Sequence, residues 1–85
     1  MFRYYIITCR SLTYAQRAAR VLNQEGITST VVKVPQRLVN TGCGYGIRVH
    51  GQHLERSQQF LTRNGIVAGK ILGLNDEGSA VEVSG

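Results

Sequence analysis

The sequence predicts a single α+β domain whose strands and helices follow one another in the order βαββαβ. The chain has 85 residues, which is enough for one small hydrophobic core and not for two. Its composition, 42% hydrophobic and 18% charged, is typical of a chain that folds. The motif Leu-x-x-x-Gly-Ile occurs at 22–27 and again at 61–66. The two halves of the chain therefore repeat one pattern of strand, helix, glycine and strand.

The first strand and the first helix are predicted from residue type and hydrophobic spacing. Residues 3–9 are mostly β-branched or aromatic, as is typical of a strand. A helix is predicted over 12–25, because apolar side chains recur there with the i, i+3, i+4, i+7 spacing of one helix face. That face consists of Leu12, Ala15, Ala18, Ala19 and Leu22. Ser11 is the expected N-cap, with a capping box of Thr13 and Gln16 as the alternative.

The remaining elements are predicted from the same signals. Gly26 and Gly65 each stand where a helix C-terminal cap is expected. The other predicted strands are 27–34, 45–50 and 68–74, and the second helix is 53–64. This order is that of the ferredoxin-like fold, in which the first and third strands pair antiparallel at the sheet centre and both helices cover one face. An open flavodoxin-like fragment is the alternative, but 85 residues are too few for it.

The C-terminal segment differs from the rest of the chain in charge. The predicted domain spans 1–74 and holds ten basic and two acidic side chains, a net charge of +8. Residues 75–85 hold three acidic side chains, in an acidic turn at 75–78 and a short strand at 80–83. We expect this segment to form a hairpin with the fourth strand, to pair with a second subunit, or to be a flexible tail.

Composition argues against several classes of protein. No apolar run approaches the roughly 20 residues of a membrane span, and the N-terminus lacks the apolar core and cleavage site of a signal peptide. We therefore expect a cytoplasmic protein with reduced thiols and no membrane partner. The net charge of +5 favours anionic partners, and RNA is one of them. The rings of Tyr4, Tyr5 and Tyr45 fall on central strands, but the RNP1 pattern is absent, so packing against a helix or a second subunit is their favoured role.

Cys43 is the candidate reactive thiol. It lies in an irregular segment that follows Pro35, outside any periodic apolar stretch. Gly42 and Gly44 flank it, which leaves the thiol accessible and permits unusual backbone angles. Reactive cysteines are exposed and lie in electropositive surroundings, whereas a buried cysteine behaves as a small hydrophobic residue. The flanking glycines favour the reactive interpretation.

The predicted fold brings further residues to the same end of the sheet. If the first and third strands are antiparallel neighbours, Cys9 at the end of one lies near Cys43 at the start of the other. The first helix also begins there, at Ser11, and we expect Arg10 and Arg37 nearby. Because a helix N-terminus and guanidinium groups lower the pKa of a neighbouring thiol, we expect a lowered pKa for Cys43. Cys9 is either a core residue or a second thiol that resolves a bond to Cys43.

Other patterns indicate no cofactor and no metal. The three glycines within 42–46 precede a strand, whereas a dinucleotide-binding loop places its glycines between a strand and a helix. The side chains that a zinc site would use are Cys9, Cys43, His50 and His53. Their spacing matches no described zinc motif. The two histidines flank a strand–helix junction, where we expect one of them to cap or hydrogen-bond locally.

The pattern from the first strand to about residue 65 resembles the selenium/sulfur carrier-like family of small domains. The resemblance rests on Ser11 with its Ala/Leu-rich helix, Gly26-Ile27, Val34-Pro35 and Cys43-Gly44-Tyr45-Gly46-Ile47-Arg48-Val49. It implies that Cys43 is the carrier cysteine, which holds sulfur or selenium as a persulfide or selenosulfide. It also implies that Gly44 gives access to the thiol and that Ser11 caps the helix pointing at it.

These expectations combine into one function and two alternatives. The predicted function is a sulfur or selenium carrier that holds the atom on Cys43 and passes it to an acceptor thiol, without being a classical enzyme. Protein thiols would be its donor and acceptor, and the exposed sheet face favours a homodimer. The first alternative is a small ligand-binding or regulatory module with an incidental cysteine. The second is an RNA-binding domain.

Overall fold

A computed structural model of the chain describes residues 2–34 and 44–84. The elements in chain order are β1 (Tyr4–Cys9), α1 (Leu12–Gln24), β2 (Ser29–Lys33), β3 (Tyr45–His50), a 3₁₀ turn (Gly51–His53), α2 (Leu54–Arg63), β4 (Ile71–Leu74) and β5 (Ala80–Ser84). The predicted α+β class is confirmed.

The strands form one antiparallel sheet in the order β2-β3-β1-β4-β5. β1 pairs with β3 on one side and β4 on the other, so it lies at the centre as predicted. The sheet has five strands rather than the four of the βαββαβ prediction, because the C-terminal segment adds β5 beside β4. In the turn between them, the Asn75 side chain accepts hydrogen bonds from the N–H groups of Glu77 and Ser79, at 3.1 and 3.0 Å. Of the three arrangements expected for this segment, the structure shows the hairpin within the chain.

The main core lies between the helices and one face of the sheet. Ile7, Ile47 and Ile71 stand side by side on β1, β3 and β4 and are buried. The helix side chains that meet them are Ala15, Ala18, Leu22 and Leu61. Both helices thus contribute to one cluster, which explains the apolar stripe of α1. Leu12 is an exception to the predicted stripe, since its side chain is 39% exposed. It is the first residue of the helix and has no preceding turn to pack beside it.

The other face of the sheet carries a smaller apolar cluster. Ile6, Val34 and Leu72 are buried there, with Val32, Leu74 and Ala80 packed against them. Because residues alternate between faces along a strand, Ile6 and Ile7 serve two different clusters. Both faces of β1 are therefore apolar at the sheet centre, as its β-branched sequence requires.

The repeated Leu-x-x-x-Gly-Ile motif ends both helices in the same way. The N–H of Ile27 donates to the carbonyl of Leu22, and the N–H of Ile66 donates to that of Leu61, both at 2.9 Å. The glycine of each repeat, Gly26 or Gly65, has a positive φ, of 82° or 73°. These are the bonds and the backbone of the Schellman motif, which satisfies carbonyls at a helix end. The internal repeat is therefore a pair of helix stops.

Two strands begin later than predicted. β2 begins at Ser29 instead of 27, because Ile27 completes the helix stop, and β4 begins at Ile71 instead of 68. The approach to β4 is held by Thr8, whose N–H and hydroxyl donate to the carbonyl of Lys70 at 3.0 and 2.8 Å. A Cβ at Gly69 would lie 2.5 Å from the Thr8 hydroxyl. This close crossing of Gly69 over Thr8 precedes the regular pairing of β4.

Candidate functional site

The candidate site lies at the end of the sheet where β1 and β2 end and β3 begins. Lys33, Tyr45 and Cys9 form the last row of paired residues across β2, β3 and β1. Just beyond this row, the N–H of Val34 donates to the carbonyl of Gly44. That bond joins the two residues that flank the segment 35–43. Gly44 itself is buried at the start of β3.

Three of the predicted site residues lie outside the described residues. These are Arg37, Gly42 and Cys43. Cys43 directly precedes Gly44 in the sequence, and Gly44 is the described residue nearest to it.

Cys9 is a core residue of the helix-facing cluster. Its side chain is 4% exposed and packs among the residues of that cluster. The thiol lies 3.7 Å from the carbonyl oxygen of Ile7, a weak S–H···O hydrogen bond. Of the two roles left open by the sequence, the structure supports packing in the core.

The first helix begins beside the same row of residues. Ser11 has the extended backbone of an N-cap, and its hydroxyl accepts the N–H of Tyr14 at 3.2 Å. The predicted N-cap is therefore confirmed. The first turn of α1, which the structure describes in full, contains no acidic side chain. The positive end of the helix dipole is thus uncompensated by a side-chain carboxylate from that turn.

Two exposed cations lie at this end of the sheet. Arg10 follows β1 directly, and its guanidinium lies 5.4 Å from the centre of the Tyr14 ring. Lys33 is the exposed member of the end row on β2. A third cation at this end, Lys70, is paired with Glu82 at 3.1 Å. Because both side chains of that pair are partly exposed, it adds little to stability. Arg10 and Lys33 are the side chains that make this end of the sheet electropositive.

Replacing Ser11 by alanine is expected to lower the free energy of unfolding by about 1 kcal/mol, since the N–H of Tyr14 loses its capping acceptor. The matched control is Thr13→Ala, in the same helix turn and exposed. It tests the capping box that the structure does not use and should leave stability unchanged or slightly raised. Urea unfolding of both variants measures the difference. Equal losses in the two would contradict the assignment of Ser11 as the N-cap.

Two residues of the end row, Lys33 and Tyr45, were not singled out for this site from the sequence. Their placement follows from register: once Tyr5 is paired with Val49, Cys9 must meet Tyr45. A register argument from the two strand sequences could therefore have found Tyr45. Lys33 follows one strand further on, because β2 pairs with β3.

Of the side chains considered for zinc, Cys43 lies outside the described residues, and Cys9 lies far from His50. Cys9 pairs with Tyr45 at one end of β1, and His50 pairs with Tyr4 at the other. Five residue steps along a strand separate them, about 17 Å. Within residues 2–34 and 44–84, no three His, Cys, Asp or Glu side chains are grouped closely enough to hold a metal ion.

The three tyrosines on the central strands do not share one role. Tyr5 and Tyr45 pack against the helix-facing core, as predicted. Tyr4 points to the opposite face and is 37% exposed, so this ring does not pack against a helix within the chain. The alternation of side chains along β1 explains the difference, because neighbours in a strand face opposite sides.

The predicted local role of a histidine at the strand–helix junction is confirmed. The ring nitrogen Nδ1 of His50 accepts a hydrogen bond from the N–H of Gln52 at 3.3 Å. His50 is thereby the cap of the 3₁₀ turn that leads into α2.

Comparison with known protein families found a match. The model of a family described as "Putative Se/S carrier protein-like" matches residues 4–72. Searches of curated proteins and of solved structures found no match. In the part of the chain that the structure describes, neither helix has the length and apolar content needed to cross a membrane.

Proposed function

The chain belongs to the Se/S carrier protein-like family, whose model covers 4–72 of its 85 residues, and from this premise we propose that it carries one sulfur or selenium atom on the thiol of Cys43. The order of the first four strands supports a ferredoxin-like fold to which β5 is an addition. Cys43 would be a persulfide or selenosulfide when loaded and a thiolate when empty.

The observation that carries this proposal is the position of the chain next to Cys43. Gly44 is held by the backbone hydrogen bond from Val34, and Tyr45 is held against Cys9 by strand pairing. Cys43 directly precedes Gly44 in the sequence, so its neighbour in the chain is fixed at this end of the sheet. A carrier thiol has to reach two partner proteins in turn, and the buried thiol of Cys9 is poorly placed to do so.

The positive charges at this end of the sheet support the proposal of an anionic sulfur on Cys43. Arg10 and Lys33 are exposed there, and the N-terminal turn of α1 adds the partial positive charge of its backbone N–H groups. Thiolates and persulfide anions are stabilised by such surroundings. Arg37 and the glycine Gly42 belong to the proposal through the sequence alone, as a further cation and as a residue that leaves the thiol open.

The transfer itself is an exchange between sulfur atoms. In loading, the Cys43 thiolate attacks the outer sulfur of a donor persulfide, a new S–S bond forms, and the donor leaves as a thiolate. In delivery, an acceptor thiolate attacks the outer sulfur or selenium atom carried by Cys43. The bond between that atom and the Cys43 sulfur breaks, and Cys43 leaves as a thiolate. The outer atom moves with its proton, and no external oxidant or reductant is consumed. Protein thiols are thus the proposed partners on both sides, in a compartment such as the cytoplasm where thiols stay reduced.

Mass spectrometry of protein exposed to inorganic polysulfide tests the proposal. We expect a gain of about 32 Da for one sulfur atom on the peptide that contains Cys43, removed by reductant. The corresponding gain after selenium loading is about 80 Da, from the mass of the added atom. An unmodified Cys43 under conditions that modify a model thiol would overturn the proposal.

A further inference from the structure

A second candidate site lies at the opposite end of the sheet. A pocket of about 330 Å³ opens there on the face away from the helices. The lining side chains that matter for its chemistry are Tyr4, Thr28, Thr30, Arg48, His50 and His53. From Tyr45 to His50 the strand β3 spans about 17 Å. The pocket is therefore separate from the end of the sheet formed by Lys33, Tyr45 and Cys9, and nothing in the carrier proposal uses it.

The pocket is lined by hydrogen-bond donors. The guanidinium of Arg48 is exposed and lies 5.2 Å from the centre of the Tyr4 ring. Since Nδ1 of His50 accepts the N–H of Gln52, the neutral ring carries its proton on Nε2, which is left to donate. The exposed hydroxyls of Thr28 and Thr30 can each donate one further bond.

Aromatic contacts support these donors. Tyr4 and His50 face each other across paired strands, with ring centres 5.3 Å apart in an edge-to-face arrangement. His50 in turn meets His53 at 6.3 Å. The Tyr4 ring, which is positioned by strand pairing, thus positions the Arg48 guanidinium. A guanidinium held in this way loses less side-chain entropy when it binds an oxyanion.

The charges around the pocket limit what can bind. None of the described residues that line it is acidic, and Arg48 supplies a full positive charge. The other edge of the sheet, formed by β4 and β5, is acidic. It carries Asp76 and Glu77 in the β4–β5 turn and Glu82 on β5. A nucleic-acid strand laid across the sheet would meet these carboxylates, which repel its phosphates. A small anion held over β2 and β3 would not.

We infer that this pocket binds a phosphate group, either free or as the monoester of a small organic molecule. Planar guanidinium groups bind phosphate oxygens through two parallel N–H···O bonds, which a lysine cannot reproduce. The histidine and threonine donors would bind the remaining oxygens. The pocket volume lies at the lower end of the range of small-molecule sites, which leaves room for the organic part of an ester beside Tyr4.

Titration of isotope-labelled protein, followed by NMR, tests the inference with three probes. These are inorganic phosphate, phenyl phosphate and a single-stranded RNA oligonucleotide. We expect saturable shifts of the backbone amides at 28–30, 48 and 52 with phenyl phosphate, and none at Thr8 or Gly44. Equal affinity for inorganic phosphate would assign the site to free phosphate, and tighter binding of the ester would assign it to a monoester.

Variants of two arginines separate a specific site from general charge. Arg48→Gln should weaken phenyl phosphate binding about tenfold or more, because the charge-assisted bonds are lost. Arg48→Lys should recover only part of the affinity. Arg63→Gln is the matched control, since Arg63 is the last residue of α2, about 15 Å along the helix from His53, and its guanidinium lies 5.6 Å from the Phe60 ring. Equal weakening by both glutamine variants would overturn the inference. So would the absence of saturable shifts, or tighter binding of RNA with shifts that extend over β4 and β5.

Discussion

The variant Cys43→Ser is expected to lose all of the sulfur or selenium that the protein can transfer to an acceptor thiol. Serine keeps the size and polarity of the side chain, but its hydroxyl forms no persulfide and does not exchange with disulfides. The measurement is the mass of the loaded protein, together with the appearance of persulfide on a small acceptor thiol. The loss should be complete rather than partial, because the proposal assigns the carried atom to one residue.

The matched control is the other cysteine. Cys9→Ala removes a thiol that is 4% exposed and packed in the main core. We expect this variant to load and deliver as the parent protein does, with a modest loss of stability from the small cavity. Urea unfolding of both variants establishes that each is folded when it is assayed.

The pair of variants also distinguishes the carrier from its alternatives. Loading that persists in Cys43→Ser would place the atom elsewhere, and loading that fails in both variants would indicate that the two thiols act as a pair. A Cys43 thiol that never loads, in a protein that still binds phenyl phosphate, would favour the small ligand-binding module. The carrier proposal and the phosphate pocket can therefore fail independently, because the two assays depend on different residues.

Local patterns are the part of this fold that sequence reasoning predicts best. Ser11 is the N-cap of α1 as predicted, and Gly26 and Gly65 have the positive φ that their place after each helix suggested. These features depend on interactions within about one helix turn, so that a few neighbouring residue types determine them. The β3 boundaries, Tyr45–His50, also match the prediction, because alternation and two glycines mark them.

Features that depend on contacts between distant residues were predicted less well. The late start of β4 follows from the crossing of Gly69 over Thr8, about sixty positions earlier in the chain. Nothing in the sequence near residue 68 signals that contact. In the same way, the exposed side of Tyr4 became evident only once the helices were known to cover the other face of β1.

The candidate site was predicted in part for the same reason. Cys43 and its flanking glycines can be identified from the sequence, because an irregular glycine-rich segment stands out locally. The role of Lys33 depends on the register of three strands, which a single sequence specifies weakly. The pocket around Arg48 and His50 combines residues of β1, β2 and β3, and no local motif marks it.

Substitution of Gly46 is the second change with a large expected effect. Gly46 is the last of the three glycines within 42–46, and its surroundings show why a glycine is needed there. A Cβ at this position would lie 2.7 Å from the carbonyl oxygen of Ile7 and 2.9 Å from a methyl carbon of Ile6. Ile7 is paired on both sides, with Ile47 and Ile71, so its backbone has little freedom to move away. The glycine is therefore explained by close packing of β3 against β1, and no nucleotide is needed to account for it.

Gly46→Ala is accordingly expected to lower the free energy of unfolding by about 1–3 kcal/mol, as overpacked core substitutions do, and Gly46→Val by more. The sign of the change in the free energy of unfolding is informative, because alanine replacing glycine at an open strand position should stabilise the protein by about 0.5–1 kcal/mol. Urea unfolding measures the change, with Thr30→Val as the control at an exposed position on the same face. A Gly46→Ala variant as stable as the parent would show that β1 and β3 can separate at this point. The third glycine would then need an explanation other than packing.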